Sequence, residues 1–370
     1  MRTKILVLLV ALALLPAAPA RADRPARTAE SVLAGMTLEE RVGELFMVGS
    51  PVDGASAGAR RAISRYHVGS VILMGATSGG RATVARTVAA LQRVTGPATA
   101  GVRLLVAVDQ EGGQVQHLKG PGFATMPSAL SQGRWSVHRL RHRAQGWGTS
   151  LREAGVNLDL APVADTVPVR LARSNQPIGR WDRELGHTPG PVATHAVAIV
   201  RGMRDAHVAT AAKHFPGLGR VRGNTDDTRT VVDRVTRRHD PFLAPFAATV
   251  AAGVPFVMMS LASYPRLDPA APAVFSPTVV EGMLRGDLGF QGVVVSDSLN
   301  AAAVSRWSPA QRALRFVTAG GDLVLVTSAD PVPAMYDALL ARARQVPQFR
   351  QRVDEAALHV LRAKQAQGLL

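Results

Sequence analysis

Eight times along this chain a short, unbroken apolar run is followed by a longer stretch with helical spacing, and that repetition leaves few folds open. The runs fall at 45–49, 69–74, 104–108, 156–160, 209–213, 255–259, 292–296 and 322–326. They are continuous rather than alternating, as expected of strands buried on both faces of a parallel sheet. The stretches between them carry helix signals. Thr37-Leu38-Glu39-Glu40 starts one helix as a capping box with acids in its first turn. Ser276-Pro277 starts another, with a cap residue followed by proline at the first helical position. Gly202 and Gly253 fall near the ends of helices that precede strands, where αβ loops use glycine. Eight β-then-α units in 370 residues predict an α/β chain folded as a single (β/α)8 barrel over 23–370. A doubly wound open sheet is the alternative, but no G-x-G-x-x-G follows the first run.

Such a barrel carries its chemistry at the C-terminal ends of the strands. Polar residues gather there. Asp109 ends the third run and is followed by Gln110-Glu111-Gly112-Gly113, where two glycines let the backbone turn close to a ligand. Asp109 suits sugar hydroxyls as an acceptor, or it caps the next helix. Lys213 ends the fifth run in a chain with only four lysines, and a charge so placed is paired or faces a cavity. The loop beyond it reaches Asn224-Thr225-Asp226-Asp227-Thr228, either a solvated turn or a polar cluster over a pocket. Asp297 ends the most apolar run, and a carboxylate buried there without purpose is expensive. Its alternative role is to cap a helix starting at Leu299 or Asn300.

Composition excludes several classes of function. The absence of cysteine removes disulfide scaffolds, zinc-thiolate sites, iron–sulfur clusters and thiol catalysis. The histidines lack metal-ligand spacing, so no metal is expected. The net charge of +16 comes from 39 scattered arginines with 5% aromatic residues. That is no clustered nucleic-acid face, although it suits association with an anionic cell wall. Residues 1–22 read as a signal peptide: Arg2 and Lys4, an apolar stretch over 5–15, then Pro16 and small residues to Ala22. The apolar stretch is too short for a stable membrane anchor. The expectation is a secreted, extracellular protein whose mature chain begins near Asp23.

Five segments together are more specific. LLVAVDQEGG at 104–113, NLDLAPV at 157–163, KHFPGLG at 213–219, LGFQGVVVSDSL at 288–299 and AGGD at 319–322 occur in this order. Over about residues 30–365 the chain resembles the catalytic barrel of glycoside hydrolase family 3, in its single-domain branch of bacterial β-N-acetylhexosaminidases. The resemblance implies a retaining mechanism without a cofactor, in which a carboxylate attacks the anomeric carbon and water later releases the glycosyl-enzyme. It makes Asp297 the nucleophile and gives Asp109, Lys213 and His214 the sugar hydroxyls. A family arginine that also binds sugar matches Arg183 or Arg180 in the longer segment 178–186.

The chain also departs from the family pattern. Where this branch has an Asp-Ser-His or Asp-Thr-His triplet, whose histidine is the acid/base, the ungapped count from Lys213 gives Asn224-Thr225-Asp226. Leu218 replaces another histidine, Ser298 stands at the second acid after the nucleophile, and Gln114 and His117 stand where arginines are usual. Asp226, or neighbouring Asp227, is then the replacement acid/base; otherwise the site binds sugar and has lost efficient turnover. Two-domain relatives can supply this group from a second domain, whereas this chain ends soon after its eighth unit. The function expected is a secreted exo-glycosidase that removes terminal β-linked N-acetylglucosamine from cell-wall or chitin-type oligosaccharides. The alternatives are a β-glucosidase-type exo-glycosidase and a non-catalytic glycan-binding protein on a decayed scaffold.

Overall fold

The eight apolar runs become the eight strands of one parallel sheet in the computed structural model, which describes residues 27–370. They are β1 (Phe46–Pro51), β2 (Ser70–Met74), β3 (Leu105–Val108), β4 (Leu158–Asp159), β5 (Ala209–Phe215), β6 (Phe256–Met259), β7 (Val293–Ser296) and β8 (Val324–Val326). Each strand lies beside its neighbours in sequence, and β1 pairs with β8 with Phe46 opposite Val324. The ring closes between β7 and β8 through the bridge Val295–Leu323, where Ser296 N–H donates to Leu323 O at 3.0 Å. The (β/α)8 barrel expected from the sequence is therefore the fold. The signal peptide assigned to 1–22 lies outside the described residues. Among the described residues no helix is long and apolar enough to cross a membrane.

The continuous runs follow from burial on both faces. Met47, Ile72, Leu105, Met258, Val295 and Leu325 fill the barrel interior. Their strand neighbours, such as Val48, Val71, Val106 and Val294, pack outward against the helices. At the N-terminal end of the strands the helix Pro347–Ala366 helps to close the barrel, and its Val360 joins the interior cluster. Lys364 of the same helix forms a wholly buried ion pair with Glu44. Arg352 and His359, also from that helix, bind the buried carboxylate of Asp322, which Arg285 holds from the other side at 2.6 Å. The base is thus occupied by hydrophobic and charged packing, which leaves the opposite end for chemistry.

The local signals act largely as read. Thr37 Oγ1 accepts from Glu40 N–H at 3.2 Å while Glu40 Oε2 accepts from Thr37 N–H at 2.7 Å, completing the capping box of Leu38–Glu44. Ser276 Oγ accepts from Val279 N–H at 3.2 Å at the start of Thr278–Asp287. Gly253 follows Ala244–Ala251 with φ +79°, a backbone state glycine adopts without strain. Gly202 is different. It lies within the helix Pro189–Asp205, where a Cβ would run into the carbonyl of Arg141 on the helix Val137–Glu153. Its small size lets two helices touch; it does not form a turn.

Candidate active site

The C-terminal ends of the strands surround a cavity of about 410 Å³. Its floor is the top of the barrel interior, including Ile72, Leu160, Met258 and Leu325. Asp109, Arg183, Lys213, His214, Asp226 and Asp297 all line it, so every residue assigned to the site from sequence is brought to one place.

The strand ends explain how. Successive strand residues ordinarily point to opposite faces. The β5–β6 register shifts between Lys213 and Phe215, an irregularity of the kind that re-aims a side chain, and both Lys213 and His214 face the cavity. Lys213 is fully enclosed. Its Nζ contacts Asp109 Oδ1 and lies 2.7 Å from Glu111 Oε1. Arg183 grips the same Glu111 bidentately, Nε to Oε2 and Nη2 to Oε1 at 2.7 Å each, and a third bond fixes its Nη1 on Pro177 O. Burial opposes charge on all three groups, but their mutual attraction outweighs it. Glu111 is held well below the usual carboxylate range, and Lys213 and Arg183 are held above theirs. A fixed quartet of two acids and two bases results.

The two candidate arginines part here. Arg183 enters the cavity, whereas Arg180 bonds Gln176 at 2.7 Å and lies over Trp181 outside it. Asp109 is followed by the short hairpin Gln110–Gly112/Val115–Gln116, so it caps no helix. Gly112 and Gly113, at φ +105° and +56°, fold against Pro127 and Ser128, so their role is to close this hairpin against the following loop.

Asp297 stands at the end of β7, half-buried, with Oδ1 accepting from Ser298 N–H at 2.7 Å. It caps no helix; the short 3₁₀ turn Ala302–Val304 has no side-chain cap, and the next α-helix, Pro309–Thr318, is capped by Ser308 Oγ. Asp226 reaches the cavity on the long loop after β5. That loop is pinned where Asn175 Nδ2 donates to Leu218 O and Val221 O at 2.8 Å each. Further on, Ala302 N–H donates to Asp226 O at 3.0 Å and Ala303 N–H to Thr225 O at 3.1 Å. The loops after β5 and β7 are thereby tied together, one carrying Asp226 and the other Asp297. Burial within the cavity, and then the charge of Asp297, push the Asp226 carboxyl above its ordinary range, with the Arg183 guanidinium pulling partly the other way. Asp227 does not line the cavity and accepts from Thr228 Oγ1 at 3.0 Å.

Two site-building residues escaped the sequence reading. Glu111 carried a signal, since it lies two residues beyond Asp109 and an extended backbone sends both to one side. Asp165 carried none in its local sequence. It is fully buried after β4 and receives His214 Nδ1 at 2.8 Å and Leu218 N–H at 2.7 Å, both from the β5 side. No group of three or more potential metal ligands occurs among the described residues.

A closed parallel barrel whose open end gathers carboxylates over an apolar floor, with fixed cations beside them, offers hydrogen-bonding groups of both signs to a polar substrate. The glycosyl hydrolase family 3 N-terminal domain matches residues 37–363, and the chain belongs to that family as a glycoside hydrolase. The crystal structure of β-N-acetylhexosaminidase from Beutenbergia cavernae is 49% identical and superimposes with a TM-score of 0.87, over 89% of this chain and 99% of that one. A β-hexosaminidase from Xanthomonas oryzae pv. oryzae is 34% identical over 88% of this chain and 93% of its own length. The β-hexosaminidase LpqI of Mycobacterium tuberculosis is 31% identical over 94% and 89% respectively.

Proposed function

We propose that this glycoside hydrolase is a retaining exo-enzyme that removes terminal β-linked N-acetylglucosamine, with Asp297 as nucleophile and Asp226 as acid/base. The observation that carries the reading is that these two carboxyls face one cavity from loops hydrogen-bonded to each other. The names of the relatives supply the sugar. A closed apolar floor favours a sugar entering by its non-reducing end, with Asp109, Arg183, Lys213 and His214 around its hydroxyls.

The electrostatics suit both half-reactions. While Asp297 is ionised, its charge helps to keep Asp226 protonated, ready to give a proton to the leaving oxygen. Attack by Asp297 turns it into a neutral glycosyl ester, and the second of the two influences that raised Asp226 is removed. Asp226, now a carboxylate, takes a proton from the incoming water, and the ester is cleaved with a second inversion. One carboxyl serves as acid and then as base, helped by its neighbour's loss of charge between the steps.

Cell-wall or chitin-type oligosaccharides are the substrates that fit an exported enzyme of this class. The leader-like residues 1–22 support export, and the charge of +16 supports retention on an anionic wall. A panel of nitrophenyl glycosides, with the first-formed anomer read by NMR, tests the activity. Release of β-N-acetylglucosamine from the acetamido glycoside is expected. Preferential cleavage of the glucoside, or an α-anomer formed first, would contradict it.

A further inference from the structure

Asp165 is an acid without a strong base. It is wholly buried, and among the described residues its ion-pair partner is His214 alone. Oδ1 accepts from Leu218 N–H at 2.7 Å, and His214 N–H lies 3.2 Å from both oxygens. Oδ2 meets His214 Nδ1 at 2.8 Å. Two backbone N–H donors, those of His214 and Leu218, converge on Asp165 and suit an ionised carboxylate, which accepts hydrogen bonds and donates none. His214 must then hold its proton on Nδ1. In the neutral ring Nε2 is left with a lone pair, and among the described residues it has no hydrogen-bond partner while the ring lines the cavity.

We propose that Asp165 is a positioning residue that fixes the tautomer of His214, so that His214 accepts a hydrogen bond from one hydroxyl of the bound sugar while Lys213 beside it only donates. The site then reads direction as well as position. The hydroxyl at His214 must be a donor, and a group that only accepts is rejected there although it is tolerated at Lys213. This rests on the sugar-binding reading above and adds a role that its two carboxyls do not supply. Asp165→Asn is the informative change. An amide keeps one oxygen for Leu218 N–H but presents an NH₂ to Nδ1, so the ring must move its proton to Nε2 and become a donor.

Two measurements test this separately. Nitrogen-15 NMR of the histidine-labelled wild-type enzyme, at about pH 9 and therefore above the ordinary histidine range, should show His214 protonated on Nδ1 alone. A proton on Nε2 would overturn the proposal, and this readout needs neither activity nor a variant. The second measurement compares the 3-, 4- and 6-deoxyfluoro nitrophenyl N-acetylglucosaminides with the parent sugar, since fluorine accepts weakly and cannot donate. One of the three should lose about 10–100-fold in kcat/KM with the wild type, the scale of one buried polar mismatch. In Asp165→Asn the parent should lose a similar factor, and the fluoro-to-parent ratio should rise at that position alone. A loss that is uniform across the series would make Asp165 merely structural and overturn the assignment. If no N-acetylglucosaminide is turned over at all, the proposed function fails while the tautomer result still decides this inference.

Discussion

At the scale of single residues the proposed mechanism turns on Asp226 as the acid/base. General acid–base assistance is worth about 10²–10⁴-fold. Asp226→Ala should therefore lose that much on a natural disaccharide, yet largely spare the first step for an activated nitrophenyl leaving group. Added azide should restore turnover by attacking the glycosyl-enzyme without a base. Equal losses on both substrates, with no azide effect, would remove Asp226 from proton transfer. The raised carboxyl fixes the sign of the pH dependence. An acid must be protonated to act, so the rate holds below the raised Asp226 value and falls as pH climbs through it. Asp297→Asn removes the second of the two influences that raise Asp226, and carbon-13 NMR should find its titration shifted downward. An unchanged titration would mean that the two carboxyls do not sense each other. Asp297 and Lys213 were legible because a charge at the end of an apolar strand has few bland explanations. Asp165 was not, because its partner lies 49 residues away and only the closed barrel brings them together.

At the scale of elements, the strands were legible to within a residue or two at most ends, because two-sided burial writes itself as uninterrupted apolar sequence. Contacts between elements were not. Gly202 reads as a loop glycine, and only the packed helices reveal that the carbonyl of Arg141 occupies the place of its side chain. Gly202→Val should cost about 1–3 kcal/mol by overpacking, measured by urea unfolding, with kcat/KM per folded molecule unchanged. A neutral result would mean that the two helices are not pressed together there. The buried Glu44–Lys364 pair joins the segment before β1 to the last long helix. Burial raises the Glu44 carboxyl and lowers the Lys364 amine, each offset in part by the other. Lys364→Met leaves an uncompensated buried acid and should cost about 3–5 kcal/mol. Adding Glu44→Gln should recover a good part of that. If the single change is neutral, the pair contributes nothing to the closed base.

At the scale of the whole molecule, the barrel divides its labour between its two ends. One is filled by the last long helix, buried ion pairs and interior side chains; the other converges loops from distant parts of the chain onto one cavity. Export concerns the chain as a whole, and amino-terminal sequencing of the secreted protein should begin near Asp23. A sequence beginning at Met1 would contradict removal of the leader. The central claim is that the barrel presents Asp297 to the anomeric carbon, and covalent trapping tests it most directly. The enzyme is incubated with a fluorinated N-acetylglucosaminyl donor whose glycosyl-enzyme hydrolyses slowly, digested, and the modified peptide sequenced by mass spectrometry. One sugar per chain, attached to Asp297, is expected; a sugar on Asp109 or Asp226, or rapid turnover with no covalent adduct, would contradict the assignment.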